Sequence, residues 1–272
     1  MAFEGPGTAV LDYAPCRYGH SRLIFRGPKR RLTGRFVAAI GGSETYGKYV
    51  PRPYPALLEA RLGLPVVNFG CMYAGLEAIL EEPELTAAAS AACLSIVQAV
   101  GVPNMSNAYY AVHPRRNDRF VRATPALERL FGGIDTTEVH FTRHLVSLLA
   151  RTAPERFAVL AEDLRRTWVA RMTGFLGRLN GRAILLWVEA PEGTGGAGAD
   201  PLAVDAAMIG EVAPHAAAVV QVRPSVTARL AGTDGMVFPA LESAAAAGLP
   251  GPAVHAEIAA ALAPAVEALL RT

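Results

Sequence analysis

A serine follows a predicted strand directly, in a turn that contains two glycines. Residues 36–40, Phe-Val-Ala-Ala-Ile, form a short apolar run that predicts a buried strand, and Gly41, Gly42 and Ser43 come next. Ligands bind at the carboxyl ends of strands in parallel sheets, so a hydroxyl there could act as a nucleophile. Serine is also a favoured residue at the start of a helix. On this stretch alone, nucleophile and helix cap both stay open for Ser43.

Polar groups also follow the next two predicted strands. Residues 66–68 lead into Asn68-Phe-Gly70, and residues 94–100 lead into Gly101-Val-Pro-Asn104. The carboxyl ends of parallel strands meet at one edge of a sheet. A nucleophile, a backbone N–H and a side-chain amide gathered at that edge are the components of an acyl-transfer site.

These three blocks resemble the motifs of the SGNH (GDSL-type) hydrolase superfamily. There a Gly-Asp-Ser-x-Thr turn follows the first strand, Asn-x-Gly the second and Gly-x-Asn the third. Here Gly42 replaces the Asp, and the third block has one extra residue. The resemblance implies that Ser43 is the nucleophile and that the N–H groups of Ser43 and Gly70, with the Asn104 amide, form the oxyanion hole. The sequence also resembles an uncharacterised bacterial family of unknown function, which adds no chemistry.

The last motif of the superfamily, Asp-x-x-His before the C-terminal helix, is present only in part. Pro252-Ala-Val-His255 occupies its place, so the histidine is present and the aspartate is not. The resemblance implies that His255 is the general base for Ser43, and the helix dipole in a first turn favours its neutral imidazole. Its orientation would have to come from a backbone carbonyl, from Asp234 or from Glu242. The alternative is a histidine on the helix surface.

A polar, basic loop after the third strand supplies candidates for substrate binding. It contains His113, Arg115 and Arg116, and Asn107 and Tyr109 precede it. Folded over the sheet edge, these side chains would suit an anionic or sugar substrate. The alternatives are a solvated loop for the basic residues and simple packing for the other two.

No metal or cofactor is predicted. His140 and His144 are four residues apart on a helix predicted at 137–150, but the Glu that follows the first His in His-Glu-x-x-His is not present. A basic stretch at residues 22–31 is either a solvated flank or a clamp for an anionic group.

Composition predicts a packed globular protein. The chain has 272 residues, 51% hydrophobic and 18% charged, and a net charge of +2, which is too mild to indicate nucleic acid as a partner. Three widely spaced cysteines favour a reducing, cytoplasmic location. We expect no signal peptide at Met1, because no basic region followed by an apolar run begins there, and no membrane span, because no uninterrupted apolar stretch of about 18 residues occurs. We expect a small-molecule or glycan substrate, and the oligomeric state stays open.

Alternation of strands and helices predicts a three-layer α/β/α fold with a flavodoxin-like parallel sheet of order 2-1-3-4-5. The predicted strands lie at 36–40, 66–68, 94–100, 183–189 and 217–222. We expect an N-terminal extension over 1–34, an SGNH-like domain over 35–272, and within it a helical cap insertion over 105–180.

Two classes of function follow. The first, implied by the resemblance, is a serine esterase or acyltransferase that acts on small acyl esters of a polar carrier such as a glycan. The second is a non-hydrolytic SGNH-fold protein, a ligand-binding module or a transferase for an anionic or sugar substrate. The missing aspartates keep the second class open. For the first class, we expect Ser43 within hydrogen-bond reach of His255.

Overall fold

A parallel five-stranded sheet forms the centre of the computed structural model, which describes residues 11–189 and 202–271. Its strands are β1 (Val37–Gly41), β2 (Val66–Gly70), β3 (Leu94–Gln98), β6 (Ala183–Val188) and β7 (Ala218–Val222), and β4 and β5 form a separate hairpin. The order is β2-β1-β3-β6-β7, and each neighbouring pair is parallel. This confirms the predicted flavodoxin-like order. The N-terminal residues considered for a signal peptide lie outside the described residues.

Helices cover both faces of the sheet. The strands are buried on both faces because alternate residues point to opposite sides, as Ile40 and Ala39 of β1 do. One layer contains α3 (Leu76–Leu80), α4 (Pro83–Ala91), α7 (Pro154–Arg178) and α8 (Ala206–Val212). The other contains α2 (Tyr54–Leu62), α9 (Val226–Leu230) and α11 (Pro252–Arg271). The remaining α-helices are α1 (Ser43–Tyr46), α5 (Pro125–Phe131), α6 (Thr142–Thr152) and α10 (Ser243–Ala247).

A hairpin replaces part of the predicted helical insertion. It consists of β4 (Tyr110–His113) and β5 (Arg116–Ala123), which pair antiparallel. The buried Asn117 of β5 accepts hydrogen bonds on Oδ1 from the N–H groups of Gly75 and Ala78, both at 2.9 Å. Its Nδ2 donates to the carbonyl of His113 at 3.0 Å. The hairpin thus caps the first turn of α3, which has no cap from its own N-cap side chain.

Helix α7 belongs to a layer of the sandwich. Its residues Leu160, Leu164 and Met172 are buried in the same core cluster as Ile40 of β1. The indole Nε1 of Trp168 donates to the carbonyl of Val100, just beyond β3, at 2.9 Å. Only the remainder of the predicted insertion can therefore cover the carboxyl edge.

The basic stretch near the N-terminus has a structural role at one position. The guanidinium of Arg26 is buried and donates to the carbonyls of Tyr46 at 3.2 Å, Gly47 at 2.7 Å and Pro51 at 2.9 Å. Arg26 is therefore neither a solvated residue nor an open anion clamp. It holds the loop that follows α1 against residues 11–34.

The C-terminal segment Ala240–Arg271 is long and apolar enough, by length and composition, to cross a membrane. In the structure, its helix α11 buries Ile258, Leu262 and Val266 against the sheet. An apolar stripe at this spacing is also the pattern of a helix in a protein core.

Candidate functional site

A cleft of about 510 Å³ lies at the carboxyl ends of β3, β6 and β7. Its walls include Gln98 at the end of β3, Trp187 and Glu189 at the end of β6, and Glu44 of α1. The chain leaves β1 for β2 on one side of the sheet and places β3 on the other. The cleft therefore adjoins the topological switch point, the usual ligand site of open α/β sheets.

Gln98 holds the turn after β1 in one arrangement. Its Oε1 accepts hydrogen bonds from the N–H of Gly42 at 3.1 Å and from Oγ1 of Thr45 at 2.7 Å. Its Nε2 donates to Oε2 of Glu44 at 3.0 Å. A carboxylate has about four acceptor positions, so Glu44 can accept further hydrogen bonds from a ligand.

Glu189 is the second carboxylate of the cleft. It is 9% exposed, and it accepts hydrogen bonds from Nε of Arg223 at 2.6 Å and from Nε2 of Gln221. The hydrogen bond from Arg223 lowers the pKa of Glu189, and that from Gln221 acts in the same direction. Glu189 is therefore ionised at neutral pH and held in a fixed orientation.

Ser43 is half-buried at the start of α1, beside Glu44. Its Oγ accepts a hydrogen bond from the N–H of Tyr73 at 3.0 Å. Because an N–H can only donate, the hydroxyl keeps its own proton for another acceptor. The N–H of Gly70, predicted for the oxyanion hole, instead donates to Oδ1 of Asn68 at 2.8 Å. Tyr73 thus supplies the N–H that binds the hydroxyl of Ser43, a contact that the sequence did not predict.

Asn104, the predicted side-chain donor, is fixed through its oxygen. Oδ1 accepts a hydrogen bond from Oγ1 of Thr142 in α6 at 2.7 Å. This orientation leaves the NH₂ group as the donor. Gly101, three residues earlier, lines the cleft, so Asn104 lies at the same end of the sheet as Ser43.

His255 is buried, with 1% of its surface exposed, so it is not a residue of the helix surface. Its ring stacks on Tyr54, and its Nδ1 accepts a hydrogen bond from the backbone N–H of Tyr54 at 3.1 Å. Burial lowers the pKa of His255 to about 4, and the charge of Arg26 acts in the same direction. The imidazole is therefore neutral at pH 7, and its proton must lie on Nε2 because Nδ1 is an acceptor.

The structure does not join the two residues of the predicted catalytic pair by a hydrogen bond within the described ranges. Ser43 is bonded to Tyr73, and His255 to Tyr54. A general base needs an unprotonated nitrogen within reach of the serine hydroxyl. The catalytic roles of Ser43 and His255 stay predictions.

Two of the predicted substrate-binding residues instead shape the backbone. Oδ1 of Asn107 accepts hydrogen bonds from the N–H groups of Tyr109 and Tyr110. Nδ1 of His113 accepts from the N–H groups of Arg115, in the hairpin turn, and Arg116, the first residue of β5, both at 3.2 Å. Side chains that bond neighbouring N–H groups in this way stabilise turns.

Arg116 differs from its neighbours because it contacts the side chain of Tyr73. Its guanidinium carbon lies 4.4 Å from the centroid of the Tyr73 ring, a cation–π contact. Arg115, at the hairpin tip, is exposed. Arg116 therefore contacts the residue whose backbone N–H binds Ser43.

Metal ligands do not gather anywhere in the described ranges. Residues 11–189 and 202–271 contain no group of three or more His, Cys, Asp or Glu side chains able to hold an ion. His140 and His144 are both exposed, and α6 begins at Thr142, so His140 precedes the helix on which it was predicted. Cys16, Cys71 and Cys93 are free.

Sequence comparison gives one result that covers nearly the whole chain. Residues 1–270 match the family described as a domain of unknown function (DUF6473). No curated protein matches the sequence. The matched range includes every residue of the cleft and of the Ser43 region. The chain therefore belongs to the DUF6473 family.

Proposed function

We propose that the protein binds a small, sugar-like ligand in the cleft, as a ligand-binding module or as a transferase. The observation that carries this proposal is a cleft of about 510 Å³ at the switch point, with two carboxylates and an amide beside an indole. Sugar hydroxyls donate hydrogen bonds to carboxylates such as Glu44 and Glu189. The ring of Trp187 provides an apolar wall for the faces of the sugar.

The environment of His255 favours ligand binding over hydrolysis. Hydrolysis through Ser43 requires a base that takes its hydroxyl proton. Nδ1 of His255 already accepts the N–H of Tyr54, so the second nitrogen is protonated. Use of His255 as the base would require the other tautomer and the loss of this hydrogen bond.

Replacement of Glu44 by glutamine tests the proposed binding. The variant should bind sugars about tenfold more weakly or worse, because a hydrogen bond to a charged group contributes about 1.5–3 kcal/mol. Affinity would be measured by isothermal titration calorimetry against a panel of monosaccharides, amino sugars and sugar acids. Glu211→Gln, an exposed change on α8, is the matched control and should bind like the wild type. Absence of binding to every member of the panel, or equal affinity of Glu44→Gln and wild type, would contradict the proposal.

A serine esterase or acyltransferase, acting on small acyl esters of a polar carrier, is the second candidate. The hydrogen bond from Tyr73 to Ser43 favours it, because Oγ retains its proton at the carboxyl edge where the NH₂ of Asn104 also lies. Since His255 would have to change tautomer, we expect slow turnover. A histidine in the wrong tautomer costs about 10⁴ in turnover in a serine protease triad.

Labelling by a fluorophosphonate probe tests this second candidate. Wild-type protein should be labelled and should hydrolyse p-nitrophenyl acetate slowly, and Ser43→Ala should abolish both because it removes the nucleophile. Ser90→Ala, an exposed change on α4, serves as the control and should react like the wild type. If the wild type is not labelled, or if Ser43→Ala is labelled equally, the candidate is rejected.

A further inference from the structure

Tyr73 connects three groups beside the cleft. Its phenol oxygen accepts a hydrogen bond from Nζ of Lys48 at 3.0 Å. The guanidinium carbon of Arg116 lies 4.4 Å from its ring centroid, and its backbone N–H donates to Oγ of Ser43. We propose that Lys48, Tyr73 and Arg116, hereafter the Tyr73 cluster, bind an anionic group of the ligand next to Ser43. This deepens the proposed function, because it assigns an anionic class, such as a sugar acid or a sugar phosphate, to the ligand.

The hydroxyl groups of Tyr73 and Ser43 are available as hydrogen-bond donors rather than as acceptors. The Tyr73 oxygen already accepts from Lys48, so its phenol proton remains to be donated. The hydroxyl of Ser43 is in the same state, because it accepts from the N–H of Tyr73. The side chain of Tyr73 therefore combines a proton to donate with contacts to both cations, and the hydroxyl of Ser43 offers a second proton. An acceptor-rich anion matches this arrangement better than a neutral hydroxyl does.

Arg116 has the capacity to bind such an anion. Its nearest carboxylate is Asp118, with Oδ1 4.0 Å from Nε, too far for a hydrogen bond. Buried Nε of Arg116 and buried Oδ1 of Asp118 both lack hydrogen-bond partners among the described residues. Nε faces Asp118, whereas the side chain as a whole is 40% exposed, and the terminal N–H groups of a guanidinium can bind a carboxylate, phosphate or sulfate through two parallel hydrogen bonds.

Lys48 is held in place by several contacts. Its Nζ lies 4.4 Å from the centroid of the Tyr49 ring and 3.3 Å from Oε2 of Glu242, which also accepts from the hydroxyl of Tyr49. Glu242 lies closer to Lys48, at 3.3 Å, than Asp118 lies to Arg116, at 4.0 Å, so the charge of Arg116 is the less compensated of the two. Lys48 therefore orients the phenol of Tyr73, and Arg116 supplies most of the attraction.

Backbone conformation supports a built site. Tyr49 and Tyr73 have φ values of 68° and 64°, in the left-handed region that bulky residues rarely adopt. Each such residue costs of order 1–3 kcal/mol, and such strain gathers at ligand sites. Both strained residues contact Lys48. The fold thus maintains two unfavourable conformations around one cation.

The cluster and the cleft are connected through two consecutive residues: Ser43 accepts from the N–H of Tyr73, and Glu44 lines the cleft. A ligand could therefore place its hydroxyl groups against Glu44 and Glu189 and its anionic group against Arg116. Neutral sugars would use only the first set of contacts.

Titration of the full chain with sodium sulfate and with sodium phosphate, at low ionic strength, tests the cluster by itself. Both probes should bind the wild type, and Arg116→Gln should weaken binding tenfold or more because a charge-assisted pair is lost. Tyr73→Phe, which keeps the backbone N–H and removes only the phenol, should also weaken binding. Arg115→Gln, an exposed neighbouring arginine, is the control and should stay within twofold of the wild type.

The outcomes separate this inference from the proposed function. If neither probe binds, or if Arg116→Gln and Arg115→Gln bind equally, the anion site is rejected even where neutral sugars bind the cleft. If sulfate binds through Arg116 while no sugar binds, the sugar-binding proposal fails and the anion site stands. Glu44→Gln removes a negative charge near the cluster, so it should bind sulfate at least as tightly as the wild type while it weakens sugar binding. A wild-type preference for sugar acids over neutral sugars, lost in Arg116→Gln, would support both.

Discussion

Replacement of Arg26 by methionine should lower the free energy of unfolding by about 3–5 kcal/mol. The guanidinium donates to three carbonyls at the end of α1 and in the loop after it, and methionine keeps most of its volume without any donor. Each buried carbonyl that loses its partner costs about 1–3 kcal/mol, and water molecules that reach these carbonyls would reduce this cost. Urea unfolding followed by circular dichroism would measure the loss.

A matched change within the same basic stretch controls for loss of charge. Arg31 is exposed, so Arg31→Met should change the free energy of unfolding by no more than about 0.5 kcal/mol. Arg26→Lys should recover only part of the stability, because an ammonium cannot reproduce the planar fork that reaches three carbonyls. Equal stabilities of Arg26→Met and Arg31→Met would show that the three hydrogen bonds contribute little.

The protein should lose stability as the pH falls from about 7 to about 5, and His255 should account for about 2 kcal/mol of that loss. Burial lowers the pKa of His255 to about 4 in the folded chain, whereas the unfolded residue titrates near its ordinary value of 6.5. Over this range the unfolded state binds more protons, so acid favours unfolding. The contribution of His255 to the free energy of unfolding is fully present above the pKa of the unfolded state and is lost below the pKa of the folded state.

His255→Asn separates this effect from other titrations. Asparagine keeps an acceptor for the N–H of Tyr54 but cannot be protonated in this range. The variant should therefore show a smaller fall in unfolding free energy between about pH 7 and pH 5 than the wild type does. His215→Asn, an exposed change, should show the wild-type dependence. The same slope in wild type and His255→Asn would mean that His255 is protonated freely in the folded protein.

The parallel sheet could be predicted because each of its strands is recognised from a few consecutive residues of the sequence. Each strand is a short apolar run followed by turn residues, and alternation with helices implies parallel strands. The hairpin was missed because its segment is polar and its stability depends on distant partners. Asn117 accepts hydrogen bonds from Gly75 and Ala78, about 40 residues earlier in the chain. A pattern of apolar and polar residues cannot predict a contact between residues so far apart in the sequence.

Positions at the site were predictable, whereas hydrogen-bond partners were not. Ser43 and Asn104 do lie at the carboxyl edge of the sheet, because that depends only on where strands end. His255 depends on Tyr54, 201 residues away in the chain, which decides its tautomer. The N–H donor at Ser43 depends on the left-handed backbone of Tyr73, which its residue type disfavours.

The cleft residues themselves were not singled out, although a signal existed. Gln98 and Glu189 are polar residues at the ends of buried strands, which is the criterion that drew attention to Ser43. Glu44 lies within the first motif itself. Applied to all strands, the same rule would have identified these acceptors.

Because Asn117 lies in the hairpin, hydrogen exchange at two backbone amides can be used to measure how often the hairpin separates from α3. The N–H groups of Gly75 and Ala78 donate to its side chain, so they exchange with solvent deuterium only when β4 and β5 separate from α3. Their exchange rates therefore measure the opening of that hairpin directly. Gly75 lies two residues from Tyr73. A ligand that binds Tyr73 should therefore slow the opening of the hairpin, and the N–H groups of Gly75 and Ala78 would exchange more slowly with deuterium.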